Sequence, residues 1–580
     1  TVQHPHPRVV GGPQHPRGAA PARGERGTES PAPPAGGRPR DSVTIAAASA
    51  ISRVTGLLRI LVAASVLGAT VFGDLFVAVN VLPLTLYDVF AGSAITSVLV
   101  PPLARLLNRG DRQAAHRFVA NSLGLICGAM AMVAIGAVLA RPLLAGALTA
   151  GVDTTLADDA TTVGSLLLLL ILPQLVLYAA IGVFVSVQHA HHRFLVPSAA
   201  PIVENLGLIA TIAVAWWRFG GGIEVDRAPT ALILTLAIGS GLSVSAHAFI
   251  QFLGARAATG SIRIGVDIRD AEIRRLAGPA RASFGWSTII AVRQFALVVA
   301  AAFAGAGGVQ AFEIAVLAYF VPMALIGRPI ASAALPRLAT TRGTTAGLHR
   351  YLDALRVAAW TAVPAGLALA ALSGAFASVI ARGEFDRPES VTLLTYGLAG
   401  LGVGAAADAL FEVARQATMA LERNRTSETP VGDGATTSTG IGRSNWLRAA
   451  VAAVGIPAVV LLLDGPVVLL ALGLVVSVGD LLALAIVHRA LRSMAEWPTD
   501  TGTSHWPRIL IATTVGLGLP VGAATAIGVD WTPLTVIGLV MAVAIAYSAA
   551  AVATTGRGTA LRNLLGRVQG GDGRRTEVPA

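Results

Sequence analysis

No lysine occurs in this 580-residue sequence, and cysteine occurs once, as Cys127. The lone cysteine excludes a disulfide framework and a cysteine-ligated zinc centre. Charged residues make up only 13% and aromatics 5%, whereas a soluble domain carries about 25% charged residues. A fold exposed to water on all sides is therefore excluded. The P-loop, a glycine fingerprint between strand and helix, and the His-Glu-x-x-His zinc motif are all missing. Nothing in the sequence suggests an enzyme, a cofactor or a resident metal. His189, His191 and His192 read as a polar turn facing headgroups. The net charge of +11 is carried by arginine alone. Most of these arginines stand between apolar runs, which points to membrane topology and away from nucleic acid.

What is present is apolar: 54% of residues are hydrophobic and the mean hydropathy is +0.68. A helix needs about 20 apolar residues to cross the hydrocarbon layer. Fourteen runs qualify, at 43–69, 71–101, 118–140, 163–187, 196–217, 229–253, 283–304, 309–335, 354–380, 391–420, 447–463, 466–488, 508–529 and 533–555. The expected fold is an all-α integral membrane protein. Arginines crowd alternate loops, with Arg105, Arg109, Arg112 and Arg117 after the second run and Arg256, Arg263, Arg269, Arg274, Arg275 and Arg281 after the sixth. The opposite loops are relatively richer in acid, as at Asp153, Asp158, Asp159, Glu384, Asp386 and Glu389. This alternation predicts a multi-pass protein with both termini cytoplasmic. Residues 1–41 read as a disordered tail without a signal peptide's apolar stretch, and 556–580 as a basic tail.

The chain echoes itself at an offset of about 233 residues. Arg59-Ile-Leu-Val returns as Arg293-Gln-Phe-Ala, His116-Arg-Phe-Val as His349-Arg-Tyr-Leu, and Leu82-Pro83 as Val321-Pro322. Six spans per repeat predict two parallel six-helix lobes, at 42–253 and 283–490, joined by a cytoplasmic linker at 254–282 and followed by a final helix pair within 491–555. Two lobes around a central cavity form a transporter plan.

An ionised side chain inside the bilayer costs at least ~2.5–3.5 kcal/mol and usually faces a cavity or an opposite charge. Arg53, Arg59, Arg293, Arg328 and Arg415 fall within the runs. Arg53 and Arg59 are six residues apart, about 240° around an ideal helix, and Arg59 lies deeper. Arg59 and Arg293 hold matching places in the two repeats. They either clamp a diphosphate bidentately or sit in structural pairs, Arg59 with Asp74 and Arg293 with Glu313. Arg328 and Arg415 read as interfacial or structural. Asp408, Glu412 and Arg415 follow i, i+4, i+7 spacing on one helix face, which fits either an ion-coupling relay or a self-neutralising ladder. Glu204 and Asp480 are buried acids to which the sequence assigns no counter-ion.

Several motifs resemble the MurJ/MviN family of lipid II flippases, within the MOP superfamily. They are Ser52-Arg53-Val54-Thr55-Gly56-Leu57-Leu58-Arg59; Gly73-Asp74-Leu75-Phe76-Val77-Ala78 followed by Leu82-Pro83; the stretch from Ala190-His191-His192-Arg193 through Val196-Pro197 and Ala200-Pro201 to Asn205-Leu206-Gly207; and Arg425-Thr426 with Thr429-Pro430-Val431. The resemblance covers about residues 42 to 555. It implies a two-lobed cavity, alternating access, and movement of an undecaprenyl-diphosphate-linked peptidoglycan precursor across the bacterial plasma membrane. Membrane lipid and cell-wall synthesis proteins are the implied company. Family cavity residues carry over at Arg53, Arg59 and Asp74. Where the family usually has two arginines, this chain has Tyr87 and Asp88; its Glu-Gly becomes Gly92-Ser93, and a further arginine becomes Leu317. The thinner cationic lining leaves two other readings open: a MOP-type exporter of another lipophilic or saccharide substrate, and a transport-inactive scaffold for envelope synthesis.

Overall fold

The computed structural model describes residues 39–90, 92–340, 345–422, 439–492 and 505–555. Both expected tails lie outside the described residues, apart from the start of the first helix. So does the Arg425–Val431 motif, as do the side chains of Asp88, Gly92 and Ser93.

The first lobe contains α1 (Pro39–Leu67), α2 (Val71–Phe90), α3 (Gly92–Asn108), α4 (Arg112–Leu139), α5 (Arg141–Leu148), α6 (Ala157–Ile171), α7 (Gln174–Ala190), α8 (Leu195–Phe219) and α9 (Thr230–Thr259). The second contains α10 (Ala271–Ala301), α11 (Gly308–Pro322), α12 (Arg328–Thr340), α13 (Thr345–Ala371), α14 (Ser373–Ile380), α15 (Pro388–Glu422), α16 (Thr439–Leu462) and α17 (Val467–Arg492). The last pair is α18 (His505–Ile527) and α19 (Pro533–Thr555), with α18 packed on α13.

Among the described residues, twelve helical stretches are long and apolar enough to span a bilayer. The second and seventh expected spans have shorter apolar helices, including 71–87 and 288–304, so every run found in the sequence is helical. In lipid, each helix must satisfy its own backbone hydrogen bonds. Their outer faces are correspondingly apolar: Trp217, Leu461 and Leu534 are each 81% exposed. The protein is a multi-pass membrane protein.

Three expected spans are interrupted among the described residues. The fourth bends at Leu172–Pro173, the eighth passes through a π turn at Met323–Gly327 directly after Pro322, and the ninth turns at Leu372 between α13 and α14. Proline removes a backbone donor and crowds the preceding turn, so the breaks in the fourth and eighth have a local cause. Helix α9 continues to Thr259 and α10 starts at Ala271, and the connecting strap docks on α4 through Gly265 N–H to Ala120 O at 2.9 Å.

Lipid gives little hydrophobic drive to helix pairing, so close backbone approach through small residues does much of the work. At the α15–α17 contact, a Cβ on Gly473 would lie 2.6 Å from the Gly400 carbonyl carbon.

The cores show how the lobes meet. At the end where α1 turns into α2, here the far end, one continuous core includes Phe72 and Phe76 from the first lobe and Phe312 and Phe385 from the second. At the near end, where α1 begins, each lobe has its own core. Leu103, Phe118 and Phe184 belong to one, Tyr351, Leu355 and Phe411 to the other.

Candidate substrate and coupling site

The far-end junction is built around Asp74. Helix α1 ends at Leu67, and Gly68, at φ +73°, reverses the chain. The Thr70 hydroxyl accepts from Gly73 N–H at 3.0 Å and starts α2. Asp74 follows in the first turn and reaches across to the other lobe. Its carboxylate accepts from Gly307 N–H at 2.8 Å and Gln310 N–H at 3.0 Å. These are otherwise orphaned donors at the start of α11, where a negative charge also meets the positive end of the helix dipole. Gln310 Nε2 returns the link by donating to Gly68 O at 2.6 Å. The expected Arg59–Asp74 ion pair does not form: Asp74 turns to the backbone of the other lobe, and Arg59 turns to Glu204.

Arg59 instead enters a buried polar cluster in the first lobe. Its Nη1 lies 3.8 Å from Glu204 Oε1. Glu204 also accepts from the Tyr178 hydroxyl at 2.8 Å and lies 2.6 Å from His247 Nδ1. The other His247 nitrogen is 3.3 Å from Gln251 Nε2, and Gln188 Nε2 donates to Gln251 Oε1 at 2.8 Å. Four helices, α1, α7, α8 and α9, thus supply one network. Two of the motifs noted in the sequence meet beside it: Asn205 Nδ2 donates to Ser52 O and Thr55 Oγ1, both at 3.1 Å. Arg53, by contrast, is exposed on α1.

The second lobe carries a cluster centred on Arg448. Its guanidinium is 3.2 Å from Asp408 and 3.0 Å from Asp480 and lies 4.0 Å from the centre of the Phe411 ring. The Tyr319 hydroxyl donates to Asp480 at 2.5 Å. Arg293 and Asp408 line an adjoining cavity of about 200 Å³, together with Gln294, Tyr319, Asn445 and Arg448. Arg293 Nε is buried with no hydrogen-bond partner among the described residues, and the expected pair with Glu313 does not form. The spaced ladder on α15 divides in two: Asp408 turns to Arg448 on α16, while Glu412 holds Arg415 at 2.8 and 2.9 Å and Gln416 at 2.7 Å. Arg328 is exposed.

The sequence left Glu204 and Asp480 without counter-ions; the structure places Arg59 and His247 by the first and Arg448 by the second. Arg448, His247, Tyr178 and Tyr319 were not singled out from the sequence. The repeat contained the signal for two of them: Tyr178 and Asp408 are 230 residues apart, and His247 and Asp480 are 233 apart, close to the 234 between Arg59 and Arg293. Each lobe uses the first, fourth, fifth and sixth spans of its repeat to build one cluster, and the second lobe adds Tyr319 from its second span. The central charge differs in sign, being a carboxylate at Glu204 and a guanidinium at Arg448.

Two helical lobes, a shared core at one end and a buried polar cluster in each lobe define a two-lobed, all-helical membrane protein. Its fold is similar to that of a multidrug-resistance MATE family transporter of the MOP superfamily in an inward-facing conformation, with TM-score 0.58 and 13% identity, covering 78% of this chain and all of that one. The chain belongs to the MurJ family of lipid II flippases: the family's sequence model, described as lipid II flippase MurJ, matches residues 63–430. The probable lipid II flippase MurJ of Rhizobium meliloti (strain 1021) is 26% identical over 391 residues, 66% of this chain and 70% of that protein. The fold is also similar to lipid II flippase MurJ in an inward-closed conformation, with TM-score 0.69 and 14% identity, covering 90% of this chain and all of that one.

Proposed function

We propose that this protein moves a polyprenyl-diphosphate-linked peptidoglycan precursor from the inner to the outer leaflet by alternating access, without chemical conversion of its cargo. The carrying observation is Arg59. It is 22% exposed, deep in α1, and among the described residues its one ion pair is a long 3.8 Å contact to Glu204. A guanidinium has five donors, so most of its capacity remains available to an anion. Family membership supports the diphosphate class.

In this reading Arg59 binds the diphosphate, Arg53 guides it from the near end, and Arg293 receives it from the second lobe. Asp74 acts on the same path as the far-end latch. The near end is cytoplasmic, in keeping with the arginine-rich loops, and the far end faces outward. A polar headgroup is costly to desolvate, so it travels between the lobes while the polyprenyl tail stays in lipid. Outward opening requires Asp74 to release Gly307 and Gln310. An ion-coupling role for Asp408 or Glu412 requires displacement of a resident arginine, Arg448 or Arg415. The lobes are taken as 42–253 and 283–490, and cell-wall synthesis proteins as partners.

A second reading, export of another lipophilic or saccharide substrate, draws on Tyr87. Its ring centre lies 6.3 Å from that of Tyr178, which places an aromatic surface beside the first-lobe cluster. Comparing binding of lipid II with binding of lipophilic cations separates the two. For the leading reading, Arg59→Ala is expected to abolish complementation in a flippase-depleted strain. Full rescue at normal expression refutes the assignment of Arg59.

A further inference from the structure

The two lobes neutralise their buried carboxylates in different ways. Asp408 and Asp480 share Arg448, which is 14% exposed and held on both sides. A guanidinium does not lose its proton in proteins, so that cluster contains its own permanent cation. Glu204 has no such permanent arrangement. Among the described residues its one constant cation is Arg59, at 3.8 Å, the same group assigned above to the substrate. Its shortest contact is to an imidazole ring, His247 Nδ1 at 2.6 Å, with the neutral Tyr178 hydroxyl at 2.8 Å.

The groups around this carboxylate are few. Helix α1 brings Arg59, α7 brings Tyr178, and α9 brings His247 with Gln251 behind it. The α6 acids, Asp158 and Asp159, belong to its far-end first turn. When an anion takes the guanidinium, Glu204 is left as a buried negative charge beside a second one. A proton on His247 restores neutrality at the shortest distance.

The surroundings suit that proton. With Nδ1–H donated to Glu204, the free site is Nε2, which faces the Gln251 amide at 3.3 Å. Turning that amide end for end presents its oxygen to a protonated Nε2. The turned amide nitrogen then meets Gln188 Nε2, the present donor to Gln251 Oε1, so Gln188 turns with it and offers its Oε1, which is buried with no hydrogen-bond partner among the described residues.

We infer that Glu204 and His247 form a proton-binding site linked to anion binding at Arg59, a proton arriving at His247 Nε2 as the diphosphate engages and leaving as it departs. This rests on the reading of Arg59 as the diphosphate ligand. Within it, Glu204 and His247 are positioning residues that act through Arg59.

The test uses the full chain in lipid nanodiscs with undecaprenyl diphosphate as probe. Kd is measured from pH 5.5 to 8.0, and proton uptake is followed with an indicator dye in weak buffer. One linked proton weakens binding by up to about tenfold per pH unit as pH rises. Subtracting Glu204→Gln removes the probe's own titration. The expected result is that wild type takes up more protons than Glu204→Gln and His247→Gln, that both variants have flatter pH profiles, and that Glu272→Gln, in a surface pair with Arg275 outside both clusters, keeps the wild-type slope. His247→Gln carries the test if Glu204→Gln does not fold. Wild-type uptake and slope in these variants, with Arg59→Ala losing affinity, overturns the proton site alone. Wild-type affinity in Arg59→Ala overturns the reading beneath it.

Discussion

Arg448 is held by two carboxylates and an aromatic face, all contributed by other helices. Removing one member of a buried charge set leaves the others uncompensated, which costs about 3–5 kcal/mol, whereas replacing the whole set can be near neutral. Arg448→Met is therefore expected to lower thermal stability sharply. Adding Asp408→Asn and Asp480→Asn should recover a substantial part of the loss. Thermal unfolding of the purified single and triple variants checks this. Arg448 was not legible in the sequence because the apolar run begins at 447, which makes it look like a helix-end residue free to reach the interface. In the structure α16 starts at Thr439, more than two turns earlier, so Arg448 lies inside the helix.

Helices are the scale at which the lobes are fastened. The first turn of α2 supplies the cap for the first turn of α11, through Asp74 to Gly307 and Gln310. A hydrogen bond to a charged group contributes roughly 1.5–3 kcal/mol, and a neutral amide also loses the favourable dipole interaction. Asp74→Asn should shift the population towards far-end opening. With Cys127→Ser as background, a thiol placed by Val309→Cys, at a position 3% exposed, should react several-fold faster with maleimide when Asp74→Asn is added. Unchanged reactivity removes the latch. The sequence flagged Asp74 as important. Its target is backbone N–H, which every residue except proline carries, so side-chain pattern holds no trace of the pairing.

At the scale of the whole molecule, the shared core at one end and separate cores at the other give the lobes a common pivot. If the near end is cytoplasmic, an impermeant maleimide should label Asp153→Cys in intact cells and leave Arg112→Cys unlabelled until the membrane is opened. The reverse pattern inverts the proposed direction of transport.

The number of spans, the two-fold repeat and the position of most intramembrane charges were set by the sequence alone. A helix in lipid closes its own hydrogen bonds, so a run of about 20 apolar residues suffices to specify it. Which charges meet was decided only by the tertiary structure. Glu204 faces Arg59 and His247, and Asp408 faces Arg448 instead of continuing a ladder along its own helix. Spacing along one helix says which residues share a face. It does not say which neighbour that face will touch, because that depends on crossing angle, depth and the small residues that let two backbones approach.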